Sequence, residues 1–189
     1  PVELGVKFRS DVAGSITGIR FYKAAANTGT HIGNLWSTNG ILLASATFTG
    51  ETASGWQQVN FSPPVTINSN VLYVASYHCN NGHYSEDTNY FASTGVDSPP
   101  LHAPANSISP NGVYAYGATS SFPNQNYQAA NYWVDVVLTP ASGPVLPNQT
   151  NRVINELTTM TVTNTATETG NLSGNGLSYK LTVVSTVVT

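Results

Sequence analysis

Short apolar or alternating segments recur along this chain at roughly eight- to twelve-residue intervals, each closed off by Gly, Asn, Pro or Ser, and no i, i+3, i+4 apolar stripe is sustained anywhere. Such spacing suits strands joined by tight turns rather than βαβ units. The expected fold class is therefore all-β, an antiparallel β-sandwich or barrel of about ten strands. In Val6-Lys7-Phe8-Arg9 and Ile19-Arg20-Phe21-Tyr22 the pleat sends Val6, Phe8, Ile19 and Phe21 to one face and Lys7, Arg9, Arg20 and Tyr22 to the other. These read as strands buried on one side. Further strands are expected over 31–37, 42–49, 56–61 and 72–78, the first two joined by Asn39-Gly40, which readily takes the positive φ of a tight hairpin turn. Pro63-Pro64 cannot donate ladder hydrogen bonds, which predicts a corner between sheets.

From 80 to 128 the periodicity fades into a long irregular region, with short strands expected at Tyr90-Phe91 and over 113–116. Long ordered loops on a rigid sandwich are where binding function concentrates. A closing strand follows over 132–139, through Trp133-Val134-Asp135-Val136-Val137-Leu138, and 140–147 with Ser142-Gly143-Pro144 reads as a linker. Beyond it, 155–167 and 177–189 are Thr- and Val-rich strands on either side of Gly170-Asn171-Leu172-Ser173-Gly174-Asn175-Gly176. The chain thus divides into a sandwich over 1–140, a linker over 141–150 and a strand tail over 151–189.

Only 8% of the residues are charged, against about 25% in an average domain, so hydroxyls and amides carry the solubility. The net charge is −3 and the six basic residues, Lys7, Arg9, Arg20, Lys23, Arg152 and Lys180, stand singly, so no patch for a polyanion forms and nucleic-acid binding is not expected. Apolar runs stop after roughly two to four residues, far short of the ~20 that span a bilayer, and no membrane insertion is expected. A strand-like start at Pro1 without an initiator Met is expected of a secreted chain that lost its leader or of a piece of a longer protein; an extracellular or cell-surface setting fits both. Cys79 is alone, which rules out an intramolecular disulfide and reads as a small half-buried residue near a strand end.

Catalytic chemistry finds little to work with. Glycoside hydrolysis needs two carboxylates about 5 to 9.5 Å apart across a cleft. Of nine acidic residues the adjacent pair is Glu86-Asp87, whose side chains diverge in an extended segment. His31, His78, His83 and His102 occur without a Gly-x-Ser-x-Gly elbow, and the adjacency of His78 and Cys79 says nothing about proximity of catalytic partners. No enzyme is expected. His78, His83, Glu86 and Asp87 crowd into ten residues, yet with neither zinc-site nor EF-hand spacing. Glycan binding is better served: sugar C–H patches stack on aromatic faces while amides and hydroxyls take their hydroxyl groups. Tyr84, Tyr90, Tyr114, Tyr116 and Trp133, with Tyr127, lie among Asn81, Asn89, Asn111, Asn124 and Asn126 in the loop-rich half. The competing role for these rings is to pack the irregular region onto the sandwich. By alternation Leu35, Val59 and Phe61 make the core, leaving Trp36 and Trp56 for a sheet edge or contact surface.

The segments Val2-Glu3-Leu4-Gly5-Val6-Lys7-Phe8, Leu35-Trp36, Ala46-Thr47-Phe48-Thr49, Gly55-Trp56-Gln57-Gln58-Val59, Gly82-His83-Tyr84, Asn111-Gly112-Val113-Tyr114 and Asn131-Tyr132-Trp133-Val134-Asp135-Val136, in colinear order over roughly 1–140, resemble the bacterial domain-of-unknown-function family 4082 of large multidomain extracellular proteins. The resemblance implies a jelly-roll-like β-sandwich of the kind many carbohydrate-binding modules use, set among cadherin-like, fibronectin-like and Ig-like repeats, and it brings no ligand, cofactor or activity. By analogy with carbohydrate-binding modules, a structural Ca²⁺ would fall to Glu86, Asp87 or Asp97; no other cofactor is expected.

The tail from Asn155-Glu156-Leu157-Thr158 through Leu177-Ser178-Tyr179 resembles the opening half of a bacterial Ig-like repeat, but stops at Thr189 where a second sheet should follow. Two or three strands cannot bury an apolar face alone, so the tail needs a partner: residues 1–140, a downstream segment, or another copy. Thr182, Val183, Val184, Thr186, Val187 and Val188 are β-branched and uncharged, suited to strand addition as well as to an ordinary strand of an Ig-like domain. The leading expectation is a non-catalytic structural or adhesion module that assembles with other copies or neighbouring Ig-like domains into a filament or array. The alternative is a carbohydrate-binding module whose loop aromatics hold polysaccharide.

Overall fold

The computed structural model describes residues 1–145 and 167–169. The chain divides into two units, Pro1–Ala141 and Ser142–Thr189. In the first, the strands are β1 (Val2–Ser10), β2 (Gly14–Lys23), β3 (His31–Ser37), β4 (Leu42–Thr47), β5 (Gly55–Ile67), β6 (Tyr73–Cys79), β7 (Val96–Ser98), β8 (Leu101–Ala103), β9 (Val113–Tyr116), β10 (Gln125–Asn126) and β11 (Val134–Pro140). The larger sheet runs β10-β9-β1-β6-β3-β4, with the β7–β8 hairpin attached to the end of β1, and the smaller sheet runs β11-β2-β5. Every pairing is antiparallel, and no helix occurs among the described residues, so the unit is an all-β sandwich.

The core follows from alternation. Val2, Leu4, Val6 and Phe8 on β1 and Tyr73, Ala75, Tyr77 and Cys79 on β6 meet Ile16, Ile19 and Phe21 on β2 and Val134 and Val136 on β11. Phe21 joins the two layers by stacking on Tyr77 at 4.2 Å between centroids. The opposite face of the larger sheet is also covered: Glu3, Asn34, Ser76 and His78 are buried there beside Trp36 and Val74, and Phe122 packs over Trp36. Trp36, expected at an edge or contact surface, is therefore interior, because the segment around Ser120–Pro123 folds back across β3.

Asn39-Gly40 forms the β3–β4 turn, with Gly40 at φ +86. Pro63-Pro64 does not make a corner; it lies inside β5, at the outer edge of the smaller sheet, where the β2–β5 ladder shifts register and needs no donor. Tyr90-Phe91 is a turn rather than a strand. Asn89 takes φ +61, and bonds from Asn89 N–H to Gln128 O and from Phe91 N–H to Ala129 O tie this turn to the loop before β11. Gly112 holds that loop from the other side: at φ +73, a Cβ there would lie 1.8 Å from the Ala130 carbonyl oxygen. The β7–β8 hairpin and β10 carry two or three residues per strand, too few for alternation to announce them.

In the second unit, β12 (Ser142–Val145) pairs antiparallel with β13 (Thr167–Thr169), where a linker was expected. Gly143 and Pro144 fall at the register shift, where no ladder donor is required of them. Thr182, Val183, Val184, Thr186, Val187 and Val188 lie outside the described residues.

Candidate functional site

The pleat turns Tyr22 outward on β2, and the ladder places Trp56 of β5 directly opposite it. On the other flank the Tyr22 N–H donates to the Trp133 carbonyl, so Trp133, Tyr22 and Trp56 form a row across the outer face of the smaller sheet. Ring centroids are 5.8 Å apart for Tyr22–Trp56, 6.5 Å for Trp56–Trp133 and 5.7 Å for Tyr90–Trp133. Trp56 is 48% exposed and Tyr22 42%, a large aromatic area left in water. The next row along the same face holds Asp135, Arg20 and Gln58, with Arg20 paired to Asp135 and its guanidinium 5.4 Å from the Trp56 ring centre.

Trp133 is held in a conformation bulky residues avoid, φ +53, just before β11 begins. Its N–H donates to Asn131 Oδ1 at 2.8 Å and its indole Nε1–H to Asp87 Oδ2 at 2.9 Å, while Asp87 and Asn131 exchange backbone hydrogen bonds. Backbone held off its preferred regions concentrates at binding sites, where neighbours over-determine it. Two hollows flank this ring. One of about 390 Å³ is lined by Arg20, Trp56, Tyr90, His102, Trp133 and Asp135 among others. The second, about 440 Å³, lies among Tyr22, Trp56, Ser85, Glu86, Asp87 and Trp133. Both volumes fall in the lower range of small-ligand clefts.

The β7–β8 hairpin, part of the first hollow's wall, is fastened by His102, which bridges Asp97 (Nδ1 to Oδ1, 2.6 Å) and Asp11 (Nε2 to Oδ2, 2.6 Å). Bonds to Asp97 and then Asp11 raise the imidazole pKa above its ordinary value, and the bond from His102, with that from Arg9, lowers Asp11. Donation from both ring nitrogens requires the imidazolium form.

The five aromatic residues expected to bind glycan separate. Tyr90 and Trp133 belong to the ledge. Tyr84 and Tyr114 pack against the main core, Tyr84 edge-on to Tyr132 at 5.7 Å, and burial raises the phenol pKa of both Tyr84 and Tyr132. Tyr116, 70% exposed, touches Tyr114 away from the ledge. Of the acids expected to hold Ca²⁺, Glu86 and Asp87 line the second hollow, whereas Asp97 is engaged by His102. Among the described residues no three His, Cys, Asp or Glu side chains come together as a metal shell. Sequence reasoning missed Arg20, Tyr22 and Asp135 as site residues. Alternation did point Arg20 and Tyr22 outward, but nothing local says which strands flank β2.

Two acid–imidazole arrangements are buried elsewhere in the unit, the second of them on the outer face of the larger sheet. Glu51 receives Lys23 Nζ–H at 2.7 Å and contacts His31 Nδ1 at 2.9 Å, while Asn27 Oδ1 lies 2.9 Å from both His31 Nε2 and Cys79 Sγ. Glu3 Oε2 lies 3.4 Å from His78 Nδ1, the two residues being 0% and 2% exposed.

Residues 1–134 match a domain family described as Domain of unknown function (DUF4082). Neither the curated proteins nor the solved structures contain a match to this chain.

Proposed function

The chain belongs to DUF4082, a domain of unknown function, and from that premise we propose that it is a non-catalytic extracellular module that holds a glycan on the Trp133–Tyr22–Trp56 ledge. The observation that carries this reading is the aromatic row, half-exposed at Tyr22 and Trp56, beside two hollows, with Arg20, Asp135 and Asp87 supplying polar contacts around it. Aromatic faces bury sugar C–H surface, and the surrounding charges and amides orient the hydroxyls. The non-catalytic part is supported by the burial of Glu3, His78, His31 and Cys79, which puts their acid, imidazole and thiol groups out of a substrate's reach. Trp56→Ala removes the most exposed ring of the row from a surface position, so folding is expected to be untouched while polysaccharide affinity falls about tenfold or more. Affinity electrophoresis over a panel of neutral and charged polysaccharides measures it. Equal retention of wild type and the Trp56→Ala/Trp133→Ala double variant on every polymer that binds would overturn the reading.

A second reading, assembly by strand addition, is favoured by the edge strand β4. It ends the larger sheet, carries no charge, and with Ile41 just before it exposes Leu42 and Leu43. A donor strand such as 182–189 of another copy suits that edge. Removal of everything after Ser142 is expected to convert assemblies to monomers in size-exclusion chromatography; unchanged assembly would count against this role.

A further inference from the structure

The second hollow carries a chemistry that sugar stacking does not require. Its aromatic walls meet nearly at right angles, 84° between Tyr22 and Trp56 and 79° between Trp56 and Trp133, so the rings form the sides of a box rather than a flat platform. Glu86 and Asp87 stand against the same space with Ser85. Neither carboxylate has a basic partner among the described residues: Asp87 takes the Trp133 indole N–H, while Arg20 pairs with Asp135, Lys23 with Glu51 and Arg9 with Asp11. Arg20 lies over Trp56 and lines the first hollow but not the second. The protein's own guanidinium is thus outside the box.

Aromatic rings set nearly at right angles, beside two carboxylates that lack a basic partner, complement an ammonium group better than they complement a neutral sugar hydroxyl. We propose that this hollow binds an organic ammonium group, presented by an amino sugar whose amine is free rather than acetylated. The assignment to a sugar rests on the glycan reading above. Trp56 and Trp133 wall both hollows, so a polymer lying across them places an ammonium-bearing residue in the box and its neighbour against Tyr90 and Arg20.

Titration of the full chain, followed by tryptophan fluorescence and calorimetry, compares a β-linked glucosamine hexamer, its fully N-acetylated counterpart, a neutral glucan hexamer, and tetramethylammonium as a probe of the box alone. The free amine is expected to bind about tenfold tighter than the acetylated form, with the preference reduced to about twofold in Glu86→Gln/Asp87→Asn and weakened by added salt. The salt series on the wild-type chain keeps the test decisive if that double variant folds poorly. Equal affinity for free, acetylated and neutral hexamers overturns the ammonium assignment while leaving the glycan ledge standing. Tetramethylammonium binding without any glycan binding overturns the ledge as a glycan site and the sugar as the bearer of the cation. Silence toward all four ligands overturns both.

Discussion

Phe21→Ala is expected to cost about 3–5 kcal/mol of unfolding free energy, seen as a drop in the urea midpoint at unchanged slope. Phe21 is fully buried near the end of β2 and is a ring through which the two sheets meet. It stacks on Tyr77 from the larger sheet at 4.2 Å and 18°, meets Phe48 edge-on at 4.9 Å, and lies 4.8 Å from His31. Truncation removes the transfer free energy of the ring and leaves a cavity that backbone on both sides, locked in ladders, cannot collapse. The paired ring geometry adds about 0.5–1.5 kcal/mol to what area alone gives. Against a total stability of about 5–15 kcal/mol, that loss brings the domain close to its limit. Phe21→Leu keeps most of the volume and is expected to cost about 1.5 kcal/mol or less. A loss under about 1 kcal/mol for the alanine variant would mean that the layers are held elsewhere.

Glu3→Ala is expected to cost a similar amount, about 3–5 kcal/mol, for a different reason. The Glu3 carboxylate is the hub of a polar cluster with no access to solvent. Its Oε1 accepts from Ser76 Oγ–H at 2.5 Å and from Asn34 Nδ2–H at 2.9 Å, and Ser76 Oγ in turn accepts the Trp36 indole N–H at 2.7 Å. Its Oε2 faces His78 across 3.4 Å. Deleting the carboxylate leaves the buried Ser76 hydroxyl without its acceptor, leaves the Asn34 Nδ2–H with Ser120 Oγ as its remaining acceptor, and takes away the group facing His78; a buried orphan costs about 1–3 kcal/mol. Glu3→Gln retains the shape and one carbonyl oxygen, so it is expected to be the milder variant. Chemical denaturation of both, alone and combined with His78→Ala, measures the coupling between the two residues. If Glu3→Ala proves no worse than Glu3→Gln, the desolvation relieved by removing the carboxylate offsets the lost contacts, and the cluster does not stabilise the fold.

These two positions differ in how far a sequence announces them. Phe21 sits in an alternating segment, Ile19-Arg20-Phe21-Tyr22, whose period of two assigns it to a buried face before any partner is known. Glu3 lies in a segment equally regular, and alternation places it on the face away from Val2, Leu4 and Val6. Its burial comes from residues more than a hundred positions later: Ser120 receives Asn34 Nδ2–H at 3.1 Å, and Pro123 lies against Gly5. Trp36 is interior rather than at an edge for the same cause, since Phe122 covers it. The candidate site divides likewise. Trp133 and Tyr90 were legible as aromatics in loop-rich surroundings, and Tyr22 and Arg20 as outward-facing strand residues. That Trp133, Tyr22 and Trp56 make one row follows from the strand order β11-β2-β5, which joins segments from three distant parts of the chain.

By itself, then, the amino-acid order determined the all-β class, the inner and outer faces of the long strands and the tight Asn39-Gly40 turn. Those properties depend on backbone stereochemistry and side-chain polarity within a few residues, which every strand carries with it. Tertiary structure alone decided which strands became neighbours, which outward face was roofed over and which aromatics were left in water. Those outcomes depend on contacts between remote segments, and a periodicity of two names a side chain's face without naming what lies across from it.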